Sequence, residues 1–243
     1  MNICEDTFEH LVDPFLSEYI KNTEEKMYNI LDLACGTGDY LIKQSGNFSK
    51  ERMNWHGVDS SPYLLEQANG RASQIIYRHG YAEDLPYDRE WFHYVAMYDA
   101  FQYFIQKEQA LDEVHRVLKD NGRLTIGNTS PEDMKQWWIY HYFPEAYAID
   151  FERYWTKHRL IQELEDRNFQ VQMTINHHVE VLSLPEVVER LEARNYPILS
   201  ILNDRDYEKG RARVEADLQH EPNKTIKSEY TEMVCVADLG VET

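Results

Sequence analysis

Ile30-Leu31-Asp32-Leu33-Ala34-Cys35-Gly36-Thr37-Gly38-Asp39 decides the reading of this chain. Its first half is an apolar run broken only by Asp32, the pattern of a buried strand. Its second half is a turn of small residues that opens a helix. Small side chains let a ligand approach the backbone, and the helix start offers unpaired N–H groups with positive partial charge. A second landmark, Asp59, ends the next strand 21 residues after Gly38. A carboxylate there can accept both hydroxyls of a ribose, so turn and acid together describe a nucleoside cofactor site. A dinucleotide is disfavoured: the third glycine of its fingerprint falls on Leu41, too large for close helix–strand packing over a pyrophosphate.

Outward from this turn, short apolar runs alternate with amphipathic stretches from Met27 to Ile126, which requires a parallel sheet covered by helices. The predicted strands are Asn29 to Leu33, Asn54 to Val58, Gln74 to Arg78, Phe92 to Tyr98 and Arg123 to Gly127. Ser60-Ser61-Pro62 caps a helix YLLEQANGRA. Ala110, Leu111, Val114, Val117 and Leu118 form one face of another, stopped by Asp120-Asn121-Gly122. The class is α/β by period alone.

Beyond Gly127 the residues 128–156 are crowded with aromatics, including Trp137-Trp138-Ile139-Tyr140-His141-Tyr142-Phe143. This run reads as a substrate-facing wall or as plain core, with a lid or dimer contact as further readings. A helix follows from Lys157 to about Arg167 with Thr156 as its cap, then a strand in which Phe169, Val171, Met173 and Ile175 alternate with polar residues. Ser183-Leu184-Pro185-Glu186 matches a capping box, Asp204 is read as the cap of a helix to Leu218, and Met233 to Ala237 is a final strand. The expected organisation is one domain, 1–243, with an N-terminal helical segment 1–28, an aromatic insertion 128–156 and a helical insertion 182–224.

With 25 Lys and Arg against 43 Asp and Glu the formal charge is −18, a field that repels phosphate backbones and anionic membranes. No nucleic-acid or membrane partner is expected. The 42% hydrophobic and 28% charged composition suits a packed globular fold. Cys4, Cys35 and Cys235 are odd in number and lack CxxC spacing, and no export signal or long apolar run is visible, so a reducing cytoplasm is the expected location. His177-His178 is no metal site on this pattern, because neighbours on a strand point to opposite faces, and no metal is expected.

LDLACGTG followed by HGVDSS resembles motifs I and II of class I S-adenosylmethionine-dependent methyltransferases. The resemblance continues through Tyr81-Ala82-Glu83-Asp84-Leu85-Pro86-Tyr87, through Phe92 to Phe104 and through EVHRVLKDNGRLTI. It implies a Rossmann-like, seven-stranded, mainly parallel sheet with an antiparallel last strand and helices on both faces. It further implies that Gly36, Thr37 and Gly38, with Ala34 at the family's first glycine, pass beneath the methionine part of S-adenosylmethionine. Asp32 would orient the turn and the amino group, Asp59 would hold the ribose, Ser60, Ala82 and Glu83 would flank the adenine, and the Tyr98 backbone would face the ammonium. S-adenosylhomocysteine is the implied product.

Two departures stand out. Tyr81 replaces the family's frequent Asp, so the adenine amino bond falls to Glu83, to backbone or to neither, and a Tyr there can stack on the ring. His93 follows Phe92 where an Asp is usual, and Tyr98-Asp99-Ala100-Phe101-Gln102-Tyr103 replaces a small-polar and His-His stretch. Methyl transfer from a sulfonium needs mainly positioning and, for some acceptors, a base. Tyr103 and His141, with Asp99, are the expected catalytic or orienting residues; Gln102, Tyr140 and Tyr142 are further candidates. The expected acceptor is a small molecule methylated at oxygen, nitrogen or carbon, by a monomer or homodimer. A protein methyltransferase, a non-catalytic cofactor-binding protein and, weakest, an NAD-dependent oxidoreductase are the alternatives.

Overall fold

Tyr28–Leu33 (β1) is buried at every residue but the half-buried Asn29, and this forces covered strands on either side of it. The computed structural model, which describes residues 12–48, 52–193 and 196–240, supplies them in a seven-stranded sheet. The strands are β1, Met53–Asp59 (β2), Ile75–His79 (β3), Phe92–Tyr98 (β4), Leu118–Asn128 (β5), Phe169–Ser183 (β6) and Thr225–Leu239 (β7). Their order is β3-β2-β1-β4-β5-β7-β6, parallel from β3 to β5 and antiparallel in the last strands. The helices are Pro14–Asn22 (α1), Asp39–Ser45 (α2), Pro62–Ala68 (α3), Lys107–Val117 (α4), Trp138–Tyr142 (α5), Pro144–Arg153 (α6), Lys157–Glu165 (α7), Leu184–Ala193 (α8), Pro197–Ile201 (α9) and Asp204–His220 (α10).

The described residues separate into two compact units. The larger takes 12–128, 158–174 and 234–240; the smaller takes 129–157 and 175–233. β6 up to Thr174 and β7 from Val234 belong to the larger unit, and the rest of both strands to the smaller. In the larger unit Leu16, Tyr28, Ile30, Leu41, Trp55 and Tyr94 form a core against one face of the sheet. In the smaller, Trp137, Trp138, Ile139, Tyr140, Tyr142 and Phe143 are all buried among Leu184, Val187, Tyr196 and Val214. The aromatic run is therefore the core of its unit, with His141 its exposed member.

The structure departs from the periodicity at several element ends. α3 stops at Ala68 because Asn69 and Gly70 are poor helix formers. Asp120-Asn121-Gly122 lies inside β5 as an irregularity: Leu118 pairs with Phe92 and pairing resumes at Arg123 with Tyr94, with Asn121 at φ 58°. β6 and β7 run 15 residues each, well past Ile175 and before Met233. Asn203, not Asp204, caps α10, accepting from the Asp206 amide at 3.0 Å. The Ser183–Glu186 capping box forms as read, with the Ser183 amide donating to Glu186 Oε2 at 2.7 Å. Cys35 and Cys235 are buried free thiols; Cys4 and the first 11 residues of the N-terminal segment lie outside the described residues.

Gly210 lets α10 pack on the ring of Phe143, since a Cβ there would sit 2.1 Å from two ring carbons. Gly210→Ala is expected to destabilise the protein, the overpacking cost of about 1–3 kcal/mol exceeding a helix gain of about 1 kcal/mol. Gly70→Ala, which meets nothing within 4 Å, is expected to be near neutral. Urea unfolding of the two variants checks the contrast.

Candidate functional site

The turn after β1 is held in an unusual backbone path. Ala34, Gly36 and Gly38 all have positive φ, at 62°, 53° and 79°. Ala34 is the strained member, for left-handed backbone costs a residue with a Cβ about 1–2 kcal/mol. The path is set by hydrogen bonds: the Cys35 amide to Val58 O at 3.0 Å, and the Gly38 amide to Cys35 O at 2.9 Å. Asp59 at the end of β2 completes it. One carboxylate oxygen accepts from the Gly36 amide and the other from the Ser61 amide, each at 2.8 Å. Ser61 in turn caps α3 through the Leu64 amide at 3.3 Å.

The two glycines serve different needs. A Cβ on Gly36 would meet nothing within 4 Å, so this part of the turn faces open space. A Cβ on Gly38 would lie 2.2 Å from the Tyr77 hydroxyl, so Gly38 is required by the packing of β3 beneath it. Thr37 and Asp39 are fastened together at 2.5 Å, and Arg71 clasps both, at 2.9 Å to the Thr37 carbonyl and 2.6 Å to the Asp39 carboxylate.

Asp32, paired in register with Gly57 and Ala96, is buried at the mouth of this turn. Burial, reinforced by the neighbouring Asp59 charge, raises its carboxyl from 3.8 to about 8. Such a group favours a cation beside it, because a positive partner restores the ionised form.

Alongside lies a cleft of about 140 Å³ lined by Ala34, Asp59, Ser60, Tyr81, Ala82 and Glu83, together with Tyr103, Phe104 and Ile105. Seven of the residues singled out from sequence thus share one cleft. Tyr81 is exposed and packs edge-on against His79 at 5.7 Å. Phe104 and Ile105 were missed by sequence reasoning; Ile105 is 92% exposed, a signal visible only once the loop is folded. Glu83 carries a different load from the one expected of an adenine contact: its Oε1 accepts from the Ile105 and Gln106 amides at 3.1 and 3.2 Å. It pins the loop before α4 to the cleft wall. The same wall is fastened by the Leu85 amide to Glu113 at 2.7 Å, and by Arg116 to the Leu85 and Tyr87 carbonyls at 3.0 and 2.8 Å.

At the end of β4, Asp99 has φ 51° and its amide donates to Gly127 O at 2.9 Å. Its carbonyl accepts from Gln102 Nε2 at 2.8 Å, and Gln102 Oε1 accepts from Asn128 at 2.9 Å. Buried Gln102 therefore shapes the bend. The Tyr98 side chain points to Asp13, with its hydroxyl 2.9 Å from the carboxylate, and Asp13 is a third residue that sequence reasoning passed over. His93, the other departure, accepts from the Asn29 amide at 2.9 Å and is a sheet-packing residue.

His141 belongs to the smaller unit, on α5, its ring exposed and edge-on to Tyr142 at 4.7 Å; Asp99 and Tyr103 belong to the larger. Tyr140 and Tyr142 donate to Asp150 and Asp217, at 2.8 and 3.0 Å, so both hydroxyls are committed within their unit. His178 stacks on Tyr230 at 4.7 Å and faces buried Glu232 at 3.0 Å.

This strand order, with a glycine turn after β1 and an acid ending β2, defines the class I methyltransferase fold. Residues 30–122 match the family model described as a methyltransferase domain. It is 35% identical over 98 residues to the demethylmenaquinone methyltransferase of Chlorobaculum tepidum, a match covering 40% of this chain and 39% of that protein. The chain thus spans about two fifths of the length of that curated relative. Among solved structures, a putative methyltransferase from an antibiotic biosynthesis pathway of Anabaena variabilis superposes with TM-score 0.67 at 21% identity, over 90% of this chain and 95% of that one. Phosphoethanolamine N-methyltransferase 2 of Haemonchus contortus, in complex with S-adenosyl-L-methionine, gives TM-score 0.58 at 17% identity, over 93% of this chain and 51% of that one. These two likenesses concern the fold.

A carboxyl raised to about 8 when folded, against 3.8 unfolded, holds its proton more tightly in the folded state. Its contribution to stability is complete below about pH 4 and is lost as pH rises through about 8. The melting temperature of the protein is expected to fall over this range, and Asp32→Asn to flatten the fall. Equal slopes in thermal melts from pH 5 to pH 8.5 would show that Asp32 is not held protonated.

Proposed function

We propose that this chain transfers the methyl group of S-adenosylmethionine to a small-molecule acceptor, at oxygen, nitrogen or carbon, and releases S-adenosylhomocysteine. The observation that carries the reading is Asp59, whose carboxylate holds the Gly36 turn with open space above it and lines the adjoining cleft. Bound there, S-adenosylmethionine supplies an activated methyl group on a sulfonium. The residues present fit it. Asp59 has lone pairs left for the ribose hydroxyls, since each carboxylate oxygen can accept more than one hydrogen bond. Gly36 admits the methionyl part to the backbone, and buried Asp32 suits its ammonium. Tyr81 and Ile105, both exposed on the cleft, offer flat and apolar surface to the adenine. Glu83 spends its Oε1 on the loop amides, and its second carboxylate oxygen would be the acceptor for the adenine amino group.

The chain's own contribution to reaction is positioning. Asp99 and Tyr103 follow β4 at the carboxyl end of the parallel strands, where ligands of open α/β sheets sit. Tyr103 would orient the acceptor or take part in removing its proton, and His141 would act as base where the acceptor requires one. A small acceptor is supported by the likeness to a demethylmenaquinone methyltransferase, and by the net charge of −18, which disfavours nucleic acid. No helix among the described residues is long and apolar enough to cross a membrane. A cytoplasmic monomer or homodimer is part of the same proposal.

Calorimetric titration with S-adenosylmethionine and S-adenosylhomocysteine is expected to show micromolar binding, weakened at least tenfold in Asp59→Ala. A cofactor-free, folded protein that binds neither would overturn the reading. Incubation of a cell extract with tritiated S-adenosylmethionine and the enzyme is expected to label the small-molecule fraction; label confined to protein would move the acceptor to that class. On the acceptor so found, Tyr103→Phe and His141→Ala are expected to lower kcat at least tenfold. Unchanged turnover in both would remove them from the mechanism.

A further inference from the structure

We propose that Asp13 is a positioning residue of the cofactor site, its buried carboxylate tying the start of α1 to the first turn of α2 and to the end of β4. The inference rests on the cofactor reading above.

Asp13 has no exposed surface. Its Oδ1 accepts from the Phe15 and Leu16 amides at 2.8 and 3.1 Å and so caps α1. Its Oδ2 accepts from the Tyr40 and Tyr98 hydroxyls at 2.6 and 2.9 Å, and the Tyr94 hydroxyl lies 3.2 Å away, sharing its one proton with Thr125 Oγ1 at 2.8 Å. Its own amide donates to Gln44 Oε1, on α2, at 2.8 Å. Four donors on one carboxylate, with a fifth hydroxyl shared, disperse a buried charge without a counter-cation, and hydrogen bonds to an ionised acceptor are the strong ones. Burial and the adjacent Asp13 charge hold the Tyr40 and Tyr94 hydroxyls well above the usual tyrosine range, so they stay protonated as donors.

Two of these tyrosines adjoin the site. Tyr40 lies two residues past Gly38, in the first turn of the helix that the glycine turn opens. Tyr98 ends β4 and precedes Asp99 with its positive φ. Their rings meet at 5.1 Å. The same carboxylate oxygen therefore fixes both the start of α2 and the end of β4. Those elements carry the turn and the bend on either side of Asp32. A site held to within a fraction of an ångström needs such supporting contacts, because a loosened shell costs affinity before it costs the fold.

The test compares Asp13→Asn with Leu16→Ala, which removes a fully buried side chain of α1 but leaves the Asp13 carboxylate and the tyrosine hydroxyls in place. Asparagine retains an oxygen for the α1 cap but turns an N–H group toward hydroxyls that need an acceptor. Calorimetric titration with S-adenosylhomocysteine is read beside the melting temperature of each variant. For Asp13→Asn the Kd is expected to rise at least tenfold, and for Tyr40→Phe and Tyr98→Phe several-fold. Leu16→Ala is expected to melt lower yet stay within twofold of wild type in Kd. Asp13→Asn binding within twofold of wild type overturns the proposal; so does weakening that merely tracks lost melting temperature across all four variants. If Asp13→Asn fails to fold, the two tyrosine variants decide it by the same comparison. A wild type that does not bind at all overturns the cofactor reading itself, a result distinct from binding that is indifferent to Asp13.

Discussion

One carboxylate joins the parts of the site. Asp59 receives the Gly36 amide on one oxygen and the Ser61 amide on the other, and so locks the end of β1, the end of β2 and the start of α3 into one arrangement. A turn with three left-handed residues has no ladder of its own to satisfy its amides, and a buried amide without a partner is costly. The acid supplies the partner. Because it does so from the rim of the cleft, the group that stabilises the turn is also presented to a ligand.

A second consequence is electrostatic. Asp32 and Asp59 stand together behind the turn, and Asp32 is driven toward its protonated form by burial and by its neighbour. This arrangement does not serve folding, since two carboxyls close together oppose each other. A positively charged group placed beside them would relieve the opposition. Asp13 solves the same problem differently, surrounding its carboxylate with two amide and two tyrosine hydroxyl donors. The larger unit therefore holds one acid satisfied by the protein and another that a cation would satisfy.

The smaller unit shows how a suggestive composition resolves into packing. Trp137 to Phe143 would suit an aromatic substrate wall, yet all but His141 are buried in the core of their own unit, and the hydroxyls of Tyr140 and Tyr142 are tied to Asp150 and Asp217. Large aromatics bury more apolar area than most side chains, so a unit built from short helices uses them as its core. The one polar member of the run is the one left exposed.

Much was legible from residue order alone. The buried period of β1 and β4, the small residues of the turn, the acid 21 positions beyond Gly38 and the capping box at Ser183 are local patterns, and each has a local cause in backbone sterics or hydrogen bonding. They determined the α/β class and the turn. The tertiary structure decided what depends on distant residues meeting. It gave Glu83 to the loop at Ile105, brought Ile105 to the cleft, continued β6 and β7 past their periodic segments, and gathered three tyrosines 27 to 85 positions away around Asp13. The reason is physical: a hydrogen-bond partner for a carboxylate is chosen by geometry in the folded chain, whereas hydrophobic period and turn chemistry act between near neighbours and are written in the order of the residues.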